Sequence, residues 1–532
     1  MSRESFYEIS PADFFYRNKD LAGFSNPARA IYSAVRELVE NSFDASEVYK
    51  YQPDIFVRIN DADGESLEDL EGATVTTIKV ADNGCGIPAR HIPSAFGQVF
   101  YGSKYRLRQS RGTFGLGGTM AILYGQITTS SPVKVVSATS GKVAHEYEIM
   151  IDIRRNRPVI LKHKTYRNES LWHGTIIEVK MEGDYKRATA KILEYFKQTA
   201  MVAPYANITF VDTRGRLYRF NQVTKEMPKP PTETKLHPYG SDVETIKRLM
   251  AMTPCKSMHS FMMEHFHKVG PIIAGNFLRA AGIPQKRKPR KLNNVEIVKL
   301  VKAMKRFPNF RPPSAECLSP LGENLLRAGI QKELKPEFIS VKVRNPSVYS
   351  GFPFIAEVGL AYGGEVPKSG DIVLYRFANR IPLLYDEASD VSWKVVHSLM
   401  NWRNYHVDLH STPLAVMVHV CSTKIPYRSV GKEFIAEIPE IEREILNGVR
   451  DAARELSGFL ARRRSVEVEK KRLDVFGKFL PKIAEFSKKL AGREVTPDVK
   501  PLLRSVMKHG SEEKEGYEGT EGEAHKEPPE SG

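Results

Sequence analysis

The chain is 532 residues long, enough for about three domains with separate cores. Its 41% hydrophobic and 27% charged content is that of a soluble globular protein; runs such as Leu414 to Val418 are far too short to span a bilayer, and Met1-Ser2-Arg3-Glu4-Ser5 opens no secretory signal. Net charge is +16, and residues 511–532 carry eight acidic side chains against two lysines, so this tail is −6 and the body +22, a balance that suits a polyanionic partner, nucleic acid first.

The four cysteines, Cys85, Cys255, Cys317 and Cys421, lie far apart with no C-x-x-C pair. That argues against a zinc site or a disulfide framework and fits a reducing, cytoplasmic setting.

The first region mixes helices with strands. Asn26-Pro27 reads as a helix start, with Asn26 able to cap and Pro27 in the first turn. Ile31, Ala34, Val35 and Leu38 follow at helical spacing. Strands are expected at Thr74 to Val80, Val133 to Ser137 and Thr175 to Met181, which predicts a sheet covered by helices. Pro228-Lys229-Pro230-Pro231 breaks the chain; beyond it Ser241 to Phe307 reads as short helices with sharp turns and contains the basic run Lys286 to Lys291. After Arg311-Pro312-Pro313-Ser314 come expected strands at Phe354 to Leu360, Ile372 to Phe377 and Ala415 to Cys421, with a helix at Val391 to Met400 between them. Ile438, Ile441, Ile445, Val449, Ala452, Leu456 and Leu460 then mark a long amphipathic helix, most simply a packing face, and the Gly/Glu/Pro-rich tail reads as disordered.

Four motifs in the first region carry chemistry. Glu37, Asn41 and Asp44 stand at i, i+4 and i+7, on one helical face beside the apolar stripe. Glutamate can polarise a water, and the asparagine carbonyl oxygen suits magnesium. The loop Asp82-Asn83-Gly84-Cys85-Gly86 ends a strand, where a carboxylate can accept from an exocyclic amine and glycine lets the backbone approach a planar ring. Arg111-Gly112-Thr113-Phe114-Gly115-Leu116-Gly117-Gly118 leads into an apolar helical run, and glycines at a helix start free backbone N–H groups for phosphate. No Gly-Lys-Ser/Thr follows, so a P-loop is excluded and a glycine-hinged lid remains. His173-Gly174-Thr175 opens a strand. Each piece alone is as well explained by a solvated helix face or an ordinary turn.

In this order the four pieces resemble the Bergerat-fold ATPases, the superfamily of gyrase-type topoisomerases, heat-shock chaperones, mismatch-repair ATPases and sensor histidine kinases. That resemblance implies ATP and Mg2+ as ligands. Glu37 would activate the attacking water, Asn41 would hold magnesium, Asp82 would read the adenine amine, and Gly86 and Thr175 would support the base. Ser103, Lys104, Gly112, Thr113, Phe114, Gly115, Leu116, Gly117 and Gly118 would surround the phosphates, with Asp44 a helper. Cys421-Ser422-Thr423-Lys424 resembles the switch-lysine loop of gyrase-type transducer domains, which makes Lys424 the expected γ-phosphate sensor.

Leu21 to Ala30, Tyr101-Gly102-Ser103-Lys104-Tyr105, Phe377-Ala378-Asn379-Arg380-Ile381-Pro382 and Ser422 to Lys432 narrow the resemblance to the B subunits of type IIB DNA topoisomerases, over nearly the whole chain to about Lys470. The expected architecture is a multi-domain α/β chain. It comprises a Bergerat α/β-sandwich ATPase domain with an N-terminal strap (1–228), a helix–two-turns–helix domain (229–310), an α/β transducer domain with a long C-terminal helix (311–475) and an extension ending in the acidic tail (476–532). The resemblance further implies dimerisation on ATP binding through segments near Phe6 to Phe15, an A2B2 heterotetramer with a DNA-cleaving A subunit, double-stranded DNA as substrate and a cytoplasmic, nucleoid-associated location. Gly118-Thr119 stands where some relatives carry a bulkier residue and a lysine. Asp61-Ala62-Asp63 reads as a solvated turn, and His259, His265 and His267 as helix-surface residues rather than a metal site. A phosphoacceptor helix normally precedes a sensor-kinase nucleotide site, which disfavours that reading; an ATP-switched clamp that binds DNA or protein without strand passage remains the alternative.

Overall fold

A computed structural model describes residues 8–61, 72–102, 107–112, 116–408, 412–428, 431–496 and 498–502. By packing, the described residues up to 402 with 408–453 form one compact unit, and the described residues of 403–407 and from 454 onward form another.

The larger unit begins with helix α1 (Pro11–Arg17), followed by α2 (Pro27–Glu47). The expected cap is present: the Asn26 side chain accepts from the Arg29 N–H at 2.9 Å and Pro27 opens the first turn. Strands β1 (Asp54–Asp61) and β2 (Thr74–Asp82) precede α3 (Ile92–Gly97) and α4 (Gly117–Thr129). Then come β3 (Val133–Thr139), β4 (Val143–Asp152), β5 (Arg157–Arg167), β6 (His173–Gly183), α5 (Tyr185–Val202), β7 (Asn207–Val211) and β8 (Leu217–Phe220). They form an eight-stranded sheet in the order β5-β4-β3-β6-β2-β1-β7-β8, antiparallel except for the β1–β7 pair. Helices α2 and α4 pack on β6, and α5 on α2, so the apolar stripe of α2 is buried between the sheet and its neighbours. The edge strand β5 is solvent-facing, and its lack of alternation hid it from the sequence.

Four short helices follow: α6 (Val243–Met252), α7 (Met258–His265), α8 (Pro271–Ala281) and α9 (Asn294–Arg306). They enclose a core of their own that includes Phe261, Phe266, Phe277, Leu300 and Met304. The histidines in this segment are engaged singly, His259 with the Pro271 carbonyl, His265 with Thr253 and His267 with Thr234, and form no ligand cluster.

Helix α10 (Gly322–Leu334) leads into β9 (Phe338–Val343), β10 (Ser347–Tyr349), β11 (Phe352–Tyr362), β12 (Val373–Ala378) and β13 (Ile381–Pro382). Then come α11 (Val391–Trp393), a π-helical turn over Lys394–Leu399, β14 (Leu414–Ser422) and α12 (Pro439–Leu490). The second sheet runs β10-β11-β14-β12-β13, with β9 also on β11. Its central strands β11 and β14 are buried almost throughout, which is why they read as continuous apolar runs. The expected helix at Val391 to Met400 is only partly α-helical, and α12 runs without interruption across residue 475, where a boundary was expected.

The first and third regions do not have separate cores. Leu325, Leu326, Ile330, Tyr375 and Met417 belong to the same buried cluster as Ile31, Val35, Phe196 and Met201. Among the described residues no helix is long and apolar enough to cross a membrane.

Candidate functional site

Helix α2 carries more than the sequence showed, because six of its polar residues meet the start of α4, the base of the lid segment and the loop after β14. Glu37, 8% exposed, lies against the first turn of α4: a side chain added at Gly117 would run into the Glu37 carboxylate. Gly118 follows, and a Cβ there would stand 3.2 Å from the Asn41 amide nitrogen. Asn41 is itself exposed. The N-terminus of α4, with its unpaired backbone N–H groups, therefore sits directly over the Glu37–Asn41 face.

Asp44 turns to the base of the lid, where its carboxylate accepts from the backbone N–H groups of Arg111 and Gly112 at 3.4 Å each. One turn further on, Glu47 holds the Arg111 guanidinium in a two-pronged contact of 2.7 and 2.8 Å. Burial by itself pushes the Glu47 carboxyl up, but Arg111 and Arg380 outweigh it and hold the group below the usual carboxylate range.

Glu40 is buried at 2% exposure and meets Lys432, a residue of the loop that follows β14. The Lys432 Nζ lies 3.2 Å from Glu40 and 3.5 Å from Glu37. Arg36 completes the cluster, 2.8 Å from Glu37 and 3.4 Å from Glu40, and donates to the Gly431 carbonyl at 3.0 Å. Two carboxylates and two cations thus neutralise one another out of water. Burial pulls the Lys432 ammonium down, yet Glu37 and Glu40 overcome it and leave its pKa raised; burial pushes the Glu40 carboxyl up, against the pull of Lys432.

Lys424, the expected sensor, is not in this cluster. It is exposed, with its ammonium 4.9 Å from the centre of the Phe352 ring. The Ser422 hydroxyl accepts from its backbone N–H at 3.2 Å, which turns the chain outward immediately after β14. The eight-residue difference matters because Gly431, tied to Arg36, is where the loop comes back to α2.

The second pole of the site is Asp82, at the end of β2. Its Oδ1 accepts from the N–H groups of Gly84 and Thr175 at 2.9 and 3.1 Å, and its Oδ2 from the Ser42 hydroxyl at 2.9 Å. Oδ2 so keeps a lone pair for an amine. Burial raises the Asp82 carboxyl even though all three hydrogen bonds oppose it. Gly86 adopts φ +67°, and a Cβ there would collide with the Ala138 carbonyl, so only glycine fits. Thr175 shares a 3.1 Å hydrogen bond with Ser137, which accepts from the Ile87 N–H at 2.9 Å. Ser137 fastens the Asp82 loop to the sheet, a role its position inside a strand did not reveal. His173 closes the loop from the other side, 2.8 Å from the Gly84 carbonyl and stacked on Tyr51.

Gly112 and Leu116 flank the lid, and Leu116 is buried and accepts from Thr119, whose hydroxyl is thereby spent on its own helix. Ser103, Lys104, Thr113, Phe114 and Gly115 lie outside the described residues.

Comparison with known proteins bears on the same elements. Residues 26–145 match the family described as histidine kinase-, DNA gyrase B-, and HSP90-like ATPase, a span from the α2 cap through the Asp82 loop and the lid. Residues 313–472 match the topoisomerase VI B subunit transducer. The B subunit of type 2 DNA topoisomerase 6 from Sulfurisphaera tokodaii is 44% identical over 91% of this chain and 90% of its own length. The protein of the same name from Metallosphaera sedula is 42% identical over 91% of this chain and 90% of its own. The chain belongs to the topoisomerase VI B-subunit family. As a topoisomerase VI B chain it has the Bergerat-type ATPase fold and the transducer expected of it, and the Glu40–Lys432 contact joins the two.

Proposed function

We propose that this chain is the ATP-binding and ATP-hydrolysing subunit of a type IIB DNA topoisomerase. ATP-gated dimerisation of two such chains would drive passage of one duplex through a break made by a separate A-type subunit in an A2B2 assembly. The observation that carries this reading is the burial of Lys432, from the transducer, against Glu37 and Glu40 of the ATPase helix. A cation brought from another region onto the water-activating carboxylate is placed to exchange Glu37 for a γ-phosphate.

The chain's own residues supply the rest of the chemistry. Asp82 accepts from the adenine amine, with Gly86 and Thr175 beside the ring. Glu37 takes the proton of the attacking water, and for this the Lys432 and Arg36 cations must first loosen their hold on it. The N–H groups at the start of α4, with Gly112, Gly117 and Gly118, face the phosphates once the lid segment lifts from Glu37. The Asn41 side-chain oxygen is a donor that fits magnesium, which supplies charge neutralisation on the phosphates. The transducer lysine is Lys432 in this reading, in place of Lys424. Helix α1, which exposes Phe14 and Tyr16, is the described part of the strap offered for exchange between protomers. The basic run Lys286 to Lys291 would contact DNA, in keeping with a cytoplasmic, nucleoid-associated location.

The test is decatenation of interlocked circular DNA by the full chain with an A-type partner, ATP and Mg2+. Glu37→Ala should bind ATP and dimerise yet barely hydrolyse it; retained turnover rules out its role as base. Persistent failure of the wild-type pair to decatenate, with ATP-dependent DNA retention intact, would favour the clamp.

A further inference from the structure

Strands β12 and β13 are joined by a turn of two residues, Asn379 and Arg380, both left-handed with φ +48° and +67°. Asn-Gly or Gly-Gly is the usual occupant of such a turn, because a Cβ is strained at positive φ. Both side chains are buried nonetheless. A strained, buried, polar turn persists only where its surroundings demand it.

The Asn379 amide links two parts of the catalytic apparatus. Its Nδ2 donates to the Ser110 carbonyl at 3.2 Å, at the base of the lid, and to the Ser422 carbonyl at 3.0 Å, where the Lys432 loop leaves β14. Its Oδ1 accepts from the Ser422 N–H at 3.0 Å. Arg380 reaches Glu47 at 3.2 Å, the Tyr205 hydroxyl at 3.2 Å and the Ser319 hydroxyl at 3.1 Å. Glu47 in turn grips Arg111, and Gln109 makes two hydrogen bonds to the Ser319 backbone at 3.1 and 2.7 Å.

The turn is itself held from behind. The Arg380 N–H donates to His419 Nε2 at 3.0 Å, which leaves the proton on Nδ1 to donate to Glu357 at 2.6 Å. Glu357 accepts the N–H groups of Leu321 and Gly322 at the start of α10. With Cys421 these residues have the composition of a metal site, but their donor atoms are already engaged with one another and with the backbone. Beside the turn a small recess opens, lined by Asp44, Arg108, Arg111, Pro231, Asn379 and Arg380, and the Arg380 Nε is buried without an acceptor.

We infer that the Asn379–Arg380 turn is a positioning element for ATP hydrolysis, which sets the base of the lid and the root of the Lys432 loop in one register. This rests on the reading that Glu37 and Lys432 act on ATP. Because one amide holds both the Ser110 carbonyl and the Ser422 backbone, the position of either segment constrains the other. Neither Asn379 nor Arg380 touches the reacting atoms.

Asn379→Gly in the full chain isolates the amide, since glycine keeps the left-handed backbone. Steady-state kcat and KM for ATP, and the Kd of a non-hydrolysable ATP analogue, are compared for Asn379→Gly, Lys432→Met and the double variant. Asn379→Gly should lower kcat at least about tenfold while analogue binding changes by no more than about threefold. The double variant should be no slower than Lys432→Met alone, because both act through one loop. Asn379→Asp, which keeps the acceptor for the Ser422 N–H but loses the donor to the Ser110 and Ser422 carbonyls, should move kcat in the same direction. An unchanged kcat in a folded Asn379→Gly variant overturns the inference, as do losses that multiply in the double variant. Wild-type turnover by Lys432→Met would overturn the underlying reading, and the inference with it.

Discussion

Replacing Lys432 with methionine keeps the reach of the side chain and removes one charge from a buried set in which Glu37 and Glu40 face Arg36 and Lys432. The native set is neutral; the variant holds one carboxylate in excess, at a place where Glu40 is 2% exposed. Stranding a buried charge costs about 3–5 kcal/mol when it has no escape. A carboxyl escapes by taking up a proton. For a glutamate of ordinary pKa about 4.3, neutralisation at pH 7 costs about 1.4 kcal/mol for each of roughly 2.7 pH units, which caps the loss at about 3.8 kcal/mol. The folded pKa of Glu40 in the variant lies above its unfolded value, the direction in which burial already pushes it. The penalty is therefore absent below about pH 4.3 and grows by about 1.4 kcal/mol per unit as pH rises. Denaturant titration at two pH values reads it, following the transition that reports on the α2 core. Lys432→Met should be less stable than wild type by about 3 kcal/mol at pH 7 and about 1 kcal/mol at pH 5. Glu40→Gln/Lys432→Met, which restores neutrality, should return to within about 1 kcal/mol of wild type. A loss that is equal at both pH values, or a double variant as unstable as the single one, refutes the cluster as its source.

Other perturbations address separate parts of the site. Gly117→Ala should destabilise the fold by about 1–3 kcal/mol, because its Cβ overlaps the buried, ion-paired Glu37 carboxylate, and should depress kcat; wild-type stability with an undiminished kcat removes the need for that close approach. Glu47→Gln should flatten the acid limb of the stability curve, because a depressed carboxyl stabilises the fold above its unfolded pKa and loses that contribution as pH falls through the folded one. A curve parallel to wild type below pH 5 would count against it. Neutralising Lys286, Lys288 and Lys291, all exposed, should reduce the slope of log K against log salt for duplex DNA by about 2–3 if each meets a phosphate, and an unchanged slope would mark a solvated loop. Arg287 is left out of that variant because it is bound to Glu296.

Local spacing made much of this molecule readable in advance. The Asn26 cap, the apolar stripe of α2, the polar line Glu37–Asn41–Asp44 and the Asp82–Gly86 loop depend on residues within a turn or two of one another, where helical and strand periodicity act directly. The apolar runs that became β11 and β14 were legible because strands buried on both faces are apolar without alternation. Strand β5 was not, since an exposed edge strand answers to its neighbour's hydrogen bonds rather than to a buried face.

Nothing within the span from Ser422 to Lys432 distinguishes Lys424 from Lys432 as the lysine that reaches Glu37. That choice depends on Arg36, nearly four hundred positions away in the chain, which draws the Gly431 carbonyl onto α2 while Ser422 turns Lys424 outward. Glu47 and Arg380 are likewise ordinary charges in the sequence and acquire a partner only when α2 meets the β12–β13 turn. By itself, the sequence determined the family, the helix with its line of polar groups and the Asp82–Gly86 loop, because those are local patterns. Only the tertiary structure decided which distant charges close on that helix, because a buried ion takes whatever partner the packed core brings within reach.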